Sequence, residues 1–157
     1  MARRRVVRVR VTGLRDVQAR LTAAGLTMEQ PQVIRIMQTG AEMMAERSRE
    51  RAPYRTGALR SGIYTASSLL NNYVPLTRRG RKLTSPLRYP PRPRQVVVVS
   101  SVFYGLILEA GGAGKRGRKR RFFRSGIRQA QPAASAYILD RLNRLIEARY
   151  GARRAAP

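Results

Sequence analysis

The sequence contains no cysteine and no histidine. Without cysteine the chain has no disulfide, no thiolate metal site and no thiol nucleophile. Without histidine it lacks the usual general base near neutral pH and the commonest metal ligand. Together these absences predict a protein that is not an enzyme and that holds no metal or other cofactor.

Acidic residues are scarce as well, since 8 Asp and Glu stand against 33 Lys and Arg, for a formal net charge of +25. Such a chain repels copies of itself and seeks polyanions or acidic partners. Glu42, Glu46 and Glu50 are spaced by four, which suits surface ion pairs on a helix better than catalysis. Glu109 is the only acidic residue in the span 51–139, which holds 18 Lys and Arg. This setting predicts a structural ion pair for Glu109, inside the fold or across a subunit boundary.

Long hydrophobic runs are also missing. The basic start MARRRVVRVRVTG has no apolar run behind it, and no stretch of 18 apolar residues occurs in the chain. The sequence therefore predicts neither a signal peptide nor a membrane span. With 43% hydrophobic residues among 157, the chain is long enough for one compact core and too short for two. We expect a single domain over residues 1–151 and a polar tail over residues 152–157.

Helical spacing recurs in the first third of the chain. Leu14, Val17 and Leu21 predict a helix of about three turns that Gly25 ends. The segment 31–51 predicts the longest helix. One set of residues recurs there at helical spacing and forms a stripe along one side, and the proline at residue 31 suits a first turn. Small residues in that stripe would let another backbone come close. The stripe comprises Val33, Met37, Gly40, Ala41, Met44 and Ser48.

A last helix is predicted near the end of the chain. Pro132 is expected to begin it and Gly151 to end it. Phe122, Phe123 and Ile127 precede it and predict an anchor that returns the chain to the core. The apolar face of this helix comprises Ile138, Leu142, Leu145 and Ile146.

Strands are predicted where apolar residues alternate or form short runs. Val7, Val9 and Val11 alternate with arginines, and the valine-rich segment 95–103 has the composition of a buried strand. The segment 104–110 either continues that strand or forms a short helix. These patterns predict an α+β fold, in which a small antiparallel sheet packs against a long central helix and a C-terminal helix, with extended basic loops.

The stretch RAPYRTGALRSGIY at residues 51–64 predicts a corner between helix and strand. Ala52 precedes proline and is pushed away from helical geometry, so the long helix ends there. Residues 53–57 then form a turn in which Thr56 bonds local backbone and Gly57 takes a positive φ. Leu59, Ser61, Ile63 and Thr65 are expected to follow as alternate positions of a strand.

Two segments show neither helical nor strand periodicity in their apolar residues, and both are rich in basic residues. The segment 69–94 holds five prolines and the run RRGRK, and the segment 111–121 reads GGAGKRGRKRR. The second fails as a phosphate-binding loop, because Glu109 and Arg116 occupy positions that need Gly and Ser or Thr. Basic loops either are merely solvated or contact a phosphate backbone without reading bases. The candidates for contact with DNA or a partner are Arg78, Arg79, Arg81, Lys82, Lys115, Arg116, Arg118, Lys119, Arg120 and Arg121.

Four sequence motifs follow one another in an order similar to that found in a known protein family. GLRDVQARL is followed by RAPYRTGALRSGI after the long helix, then by FYGLILEAGG and RFFRSGIRQA. This order resembles the head-to-tail joining, or neck (tail-completion), protein family of long-tailed bacteriophages typified by gene product ten of phage Hong Kong 97. The residues that carry the resemblance are Ala52, Pro53, Thr56, Gly57, Leu59, Ser61, Ile63, Tyr104, Glu109, Gly111, Phe122 and Phe123.

The chain also departs from the family pattern. Gly62 is inserted before the strand, and Arg121 stands where a proline usually precedes the phenylalanine. Ser125 and Gly126 replace a Pro-Ala-like pair, and the loop 69–94 is long and unusually basic.

The resemblance implies a structural virion protein at the head-to-tail junction, with a tail-completion, head–tail connector or tail-terminator role. The chain is then expected to be a subunit of a hexameric ring around the DNA channel. Its expected partners are further copies of itself, neighbouring neck and tail-tube or head-closure proteins, and nonspecifically contacted DNA, with no membrane. It is expected in the virion after assembly in the host cytoplasm.

Charge alone favours a different class, a ribosomal-protein-like or chromatin-like nonspecific nucleic-acid-binding protein. The corner and the phenylalanine anchor discriminate between the two hypotheses, because a generic polycation has no reason to carry them.

Overall fold

The structure, a computed structural model, describes residues 14–27, 30–54, 57–67, 77–78, 81–82, 91, 95–102, 105, 108–109 and 121–154. These residues form an α+β fold in which a two-stranded antiparallel sheet packs beside two long helices. The predicted fold class is therefore confirmed. The strand predicted at Val7–Val11 lies outside the described residues.

Helix α1 spans Leu14–Ala23 and ends as the sequence predicts. Gly25 has a φ of 70° beyond its last turn, and the N–H of Leu26 donates to the carbonyl of Leu21 over 2.8 Å. Glycine adopts this left-handed geometry without a steric penalty, so the chain reverses tightly here. Leu26 is buried after the turn and joins Val17 and Leu21 in the core.

Helix α2 spans Pro31–Arg51, the bounds that the sequence predicts. Ala52 follows with a ψ of 133°, extended geometry that the next proline favours. The buried face of α2 comprises Val33, Ile34, Gly40, Ala41, Met44, Ala45 and Ser48. The predicted stripe is thus largely the core-facing side of the helix.

Two short segments depart from the predictions. Residues Ala58–Ser61 form one helical turn, α3, and the strand β1 begins only at Ile63 and runs to Ser67. The period of two predicted for Leu59 and Ser61 was therefore wrong, because over so few residues it cannot be distinguished from one turn of helix. Part of the segment 69–94 is regular, since β2 (Thr77–Arg78) pairs with β3 (Arg81–Lys82).

The main sheet pairs β1 with β4, which spans Val96–Ser100 as the valine run predicts. The strands are antiparallel, with Ile63 opposite Ser100 and Ser67 opposite Val96. The sheet packs against α2, so one part of the core lies between the sheet and the two long helices. A second part lies where α1 and Leu26 pack against those helices.

The last helix, α4, spans Phe122–Arg154 and is 33 residues long. The predicted start at Pro132 and the predicted stop at Gly151 were both wrong. Pro132 lies inside the helix, where it removes one backbone hydrogen bond. The turns before it are held by tertiary packing, because Phe122 and Ile127 are 5% and 3% exposed. This burial confirms the predicted anchor and offsets the local cost of the proline.

Helices α2 and α4 run antiparallel and approach closely at two glycines. A Cβ on Gly126 would lie 2.5 Å from the Cα of Ser48, and one on Gly40 would lie 2.6 Å from the Cδ1 of Ile138. Such distances leave no room for a side chain on Gly126 unless the backbones move apart. The prediction that small residues of α2 admit a second backbone is confirmed.

Candidate functional site

The corner at the end of α2 contains several of the residues on which the family resemblance depends. Ala52 is buried, and its N–H donates to the carbonyl of Arg49 over 3.1 Å. Gly57 has a φ of 74°, which confirms the predicted positive φ, and its carbonyl accepts from the N–H of Ser61 over 3.0 Å. The corner therefore closes with a left-handed glycine that starts a single helical turn.

Arg60 ties the two sides of the corner together. Its Nε donates to the carbonyl of Ala52 over 3.2 Å, and its Cζ lies 5.1 Å from the centroid of the Tyr54 ring. The Tyr54 side chain is nevertheless 71% exposed. The corner thus presents a tyrosine whose ring is held by a cation–π contact.

The corner and the phenylalanine anchor belong to one buried cluster. Ala52, Leu59 and Ile63 from the corner pack with Phe122 at the start of α4, and with Ala45 on α2. Phe123 is partly buried against the same cluster. Two segments about sixty residues apart in sequence therefore meet at one place in the fold.

Glu109 lies at the beginning of α4 and caps it. Its Oε2 accepts from the N–H of Phe123 and its Oε1 from the N–H of Arg124, each over 3.1 Å. The first turn of a helix has free N–H groups and a partial positive charge, so a carboxylate there is doubly favourable. The predicted ion pair of Glu109 remains a prediction, and its capping of α4 could not be foreseen from sequence spacing.

A polar network joins α2 to β1; its Arg49–Glu42 pair confirms the ion pairing predicted for the glutamates of α2, whereas its contacts with the strand were missed. Arg49 donates from Nη1 to Oε1 of Glu42 over 2.5 Å and from Nε to the carbonyl of Ile63 over 2.8 Å. Thr65 donates to the Oε2 of Glu42 over 3.0 Å and accepts from the Nε2 of Gln38 over 2.8 Å. The network attaches the strand that follows the corner to the helix that precedes it. The one available signal was the spacing of Glu42 and Arg49 by seven, two turns on one face.

The predicted basic candidates fall in three places. Arg78 lies on β2, and Arg81 and Lys82 lie on β3. Arg121 is exposed and directly precedes α4. The remaining candidates and motif residues lie outside the described residues; they are Arg79, Lys115, Arg116, Arg118, Lys119, Arg120, Thr56, Tyr104 and Gly111.

Within the described ranges, no group of three or more His, Cys, Asp or Glu residues could hold a metal ion. No helix in that part of the chain is long and apolar enough to cross a membrane. Comparisons of the chain with protein-family models, with curated proteins and with solved structures found no match.

Replacing Gly57 by valine is expected to lower the free energy of unfolding by about 1–3 kcal/mol, because a β-branched residue is strained at positive φ. A Cβ at Gly57 would lie 3.6 Å from Cε2 of Tyr54, an ordinary contact, so the loss arises from the backbone rather than from a clash. Urea denaturation measures the effect. Gly57→Asn is the control, because asparagine tolerates this conformation and should lose less. Equal stability of the valine variant and the wild type would contradict the left-handed corner.

Proposed function

We propose that this chain is a structural virion protein of a tailed phage, a ring subunit at the head-to-tail junction. The observation that supports the proposal is the joining of the corner to the anchor. Ala52, Leu59 and Ile63 pack with Phe122 in one cluster, and Glu109 caps the helix that Phe122 begins. The motif residues brought together in this way come from separate parts of the sequence.

A rigid corner suits a ring subunit. A subunit that joins two rings must hold its docking loops at fixed positions, and Arg60 and the Arg49–Glu42 network hold this one. The exposed Tyr54 is the kind of side chain that anchors a protein interface. In this proposal the protein carries out no reaction; it aligns the capsid with the tail and seals their junction.

The net charge of +25 suits a subunit beside packaged DNA. Arginine-rich loops at the lumen of a channel attract phosphate nonspecifically and in a salt-dependent way. The same charge would also suit a ribosomal-protein-like or chromatin-like nonspecific nucleic-acid-binding protein, which is the alternative proposal.

A null mutant of the gene in the parent phage tests the proposal, with the lysate imaged by electron microscopy. We expect filled heads to accumulate beside separate tails, with joined particles restored when the wild-type chain is supplied in trans. Tails of irregular length would point to termination rather than joining. Normal joined particles would overturn the neck role and favour the nucleic-acid-binding alternative.

Replacement of Arg78, Arg79, Arg81 and Lys82 by serine is expected to leave the thermal midpoint within about 2 °C, because the sequence predicts a solvated basic run and solvated charges contribute little to stability. The same variant is expected to reduce joined particles, since these charges are proposed to face DNA or an acidic ring. Complementation of the null mutant measures that effect by plaque count. Full complementation would mean that the run is merely solvated.

A further inference from the structure

The helix pair carries a basic surface at one end, which we call the arginine surface and define as Arg47, Arg51, Arg121, Arg124 and Arg128. Because α2 and α4 are antiparallel, the last turns of α2 lie beside the first turns of α4, as the contact of Ser48 with Gly126 shows. All members except the half-buried Arg124 are exposed. We propose that this surface binds the phosphate backbone of double-stranded DNA.

Gln129 is the first argument for a binding role. Its Oε1 accepts from the Nε of Arg47 over 3.1 Å and from the Nη1 of Arg51 over 3.0 Å. The amide oxygen orients both guanidinium groups, and as a neutral group it does not cancel their charge. Arg47 also pairs with Glu50, whereas Arg51 makes no ion pair among the described residues. The Arg51 guanidinium is therefore oriented without being neutralised, which suits binding to phosphate.

The start of α4 gives the second argument. Arg121, Arg124 and Arg128 are spaced by three and four, so they share one side of the helix over about 10 Å of its axis. Basic residues are unfavourable at this end, where the helix dipole is positive; the first turn itself contains no acidic residue, and the carboxylate that lies against it is the Glu109 cap. Three arginines therefore outnumber this capping carboxylate at the helix start, and the excess of positive charge suits an anionic partner.

The charge pattern distinguishes this end of the helix pair from the other. Residues 121–139, which lead into α4 and form its first half, contain three arginines and no acidic residue, whereas residues 140–149 mix Asp140 and Glu147 with three arginines. At that far end Arg144 pairs with Asp140. The last turns of α2 also contain Glu46 and Glu50, so the excess of positive charge at this end lies mainly on the α4 side, next in sequence to the basic run that precedes Arg121.

A nucleic acid fits this surface better than an acidic protein does. Protein interfaces are centred on buried aromatic or aliphatic anchors. Among the described residues the exposed large hydrophobic side chains are Tyr54 and Tyr150, and neither belongs to the arginine surface. A surface of guanidinium groups without an apolar centre is typical of contact with a phosphate backbone.

This inference rests on one part of the proposed function, namely that DNA passes close to the subunit. It assigns the contact with DNA to folded helices rather than to the basic loops. Binding of the purified protein to a labelled duplex of random sequence is measured by fluorescence anisotropy between 50 and about 300 mM salt. The test variant combines Arg51→Gln, Arg124→Gln and Arg128→Gln. The control combines Arg35→Gln, Arg141→Gln and Arg149→Gln, which remove the same charge from exposed positions at the other end of the helix pair.

We expect the slope of log K against log salt to fall by about 2–3 in the test variant and by less than about 1 in the control, since each phosphate contact contributes about 0.9. At 100 mM salt the test variant should bind roughly a hundredfold more weakly than the control. Circular dichroism checks that both variants fold. Equal losses in the two variants would mean that net charge alone acts, and would overturn the inference. An unchanged slope with lost complementation would assign the surface to an acidic protein and would also overturn it.

The DNA-binding outcome and the phage outcome are separable. A reduced slope in the test variant together with normal particles in the null mutant would retain the DNA surface and reject the neck role. An unchanged slope together with unjoined heads and tails would retain the neck role and reject the DNA surface.

Discussion

Replacement of Gly126 by alanine is expected to destabilise the protein by about 2 kcal/mol, even though alanine favours helix more than glycine does. The added Cβ would lie 2.5 Å from Cα, 2.7 Å from N and 2.7 Å from Oγ of Ser48. Two of these three atoms are backbone, so a side-chain rotation cannot relieve the contact. The helices must separate, and the packing on both sides of the crossing is loosened. The strain of about 3 kcal/mol therefore exceeds the gain in helix propensity of about 1 kcal/mol.

Gly40→Ala is the matched control, because it makes the same substitution on the partner helix. There the added Cβ would meet the Cδ1 and Cγ1 of Ile138, both at 2.6 Å, and the carbonyl oxygen of Ala134 at 3.3 Å. The two closest atoms belong to a side chain that can move to another rotamer, and the contact with the backbone is the longer one. We expect a change within about 1 kcal/mol of zero, since the propensity gain offsets the repacking. Urea denaturation at constant m-value gives both free energies. A Gly126→Ala variant as stable as the wild type would show that the two backbones do not approach so closely.

The long central helix could be predicted because its signals agree. One stripe of buried residues runs for about four turns over α2, proline stands at its start, and proline follows its end. The small residues in that stripe also indicated a close partner. What the sequence could not indicate was the partner itself. The role of Gly126 becomes visible only when α4 lies against Ser48.

The start of α4 was mispredicted because a local signal was given more weight than a long-range one. Proline is a common first residue of a helix, and the residues before Pro132 carry no capping signal of their own. Ten residues before it, Phe122 is buried against Leu59 and Ile63, which are distant in sequence. This burial stabilises the first turns and lets the helix continue through the proline. No window of sequence around residue 132 contains that information.

The cap of α4 was unpredictable for the same reason. Most helix caps lie within a few residues of the helix and are found by short motifs. Glu109 lies 14 residues before Phe123 in the chain. Sequence reasoning identified Glu109 as an isolated acid in a basic span, which is a signal that the residue has a structural role, but the acceptor–donor pairing depends on tertiary geometry.

Replacement of Glu109 by alanine is expected to lower the free energy of unfolding by about 2 kcal/mol, within the range of 1–3 kcal/mol for an unmade hydrogen bond to a charged group. The N–H groups of Phe123 and Arg124 would lose their acceptors at the point where Phe122 is buried. Water can satisfy part of this loss, because Glu109 is itself only half-buried. The corner is expected to lose stability together with the first turn of α4, since Leu59 and Phe122 belong to the same buried cluster.

A second substitution separates the contribution of the Glu109 charge to stability from that of its acceptor oxygens. Glu109→Gln retains one acceptor oxygen but removes the negative charge, so it should lose about 1 kcal/mol, and Glu109→Ala about twice that. At the scale of this chain, 1 kcal/mol corresponds to roughly 2–4 °C in the thermal midpoint, which calorimetry resolves. Equal midpoints for the glutamine and alanine variants would mean that charge supplies the whole effect. An unchanged midpoint in both would show that the first turn of α4 does not depend on the cap, and that the buried cluster around Phe122 alone holds the helix start in place.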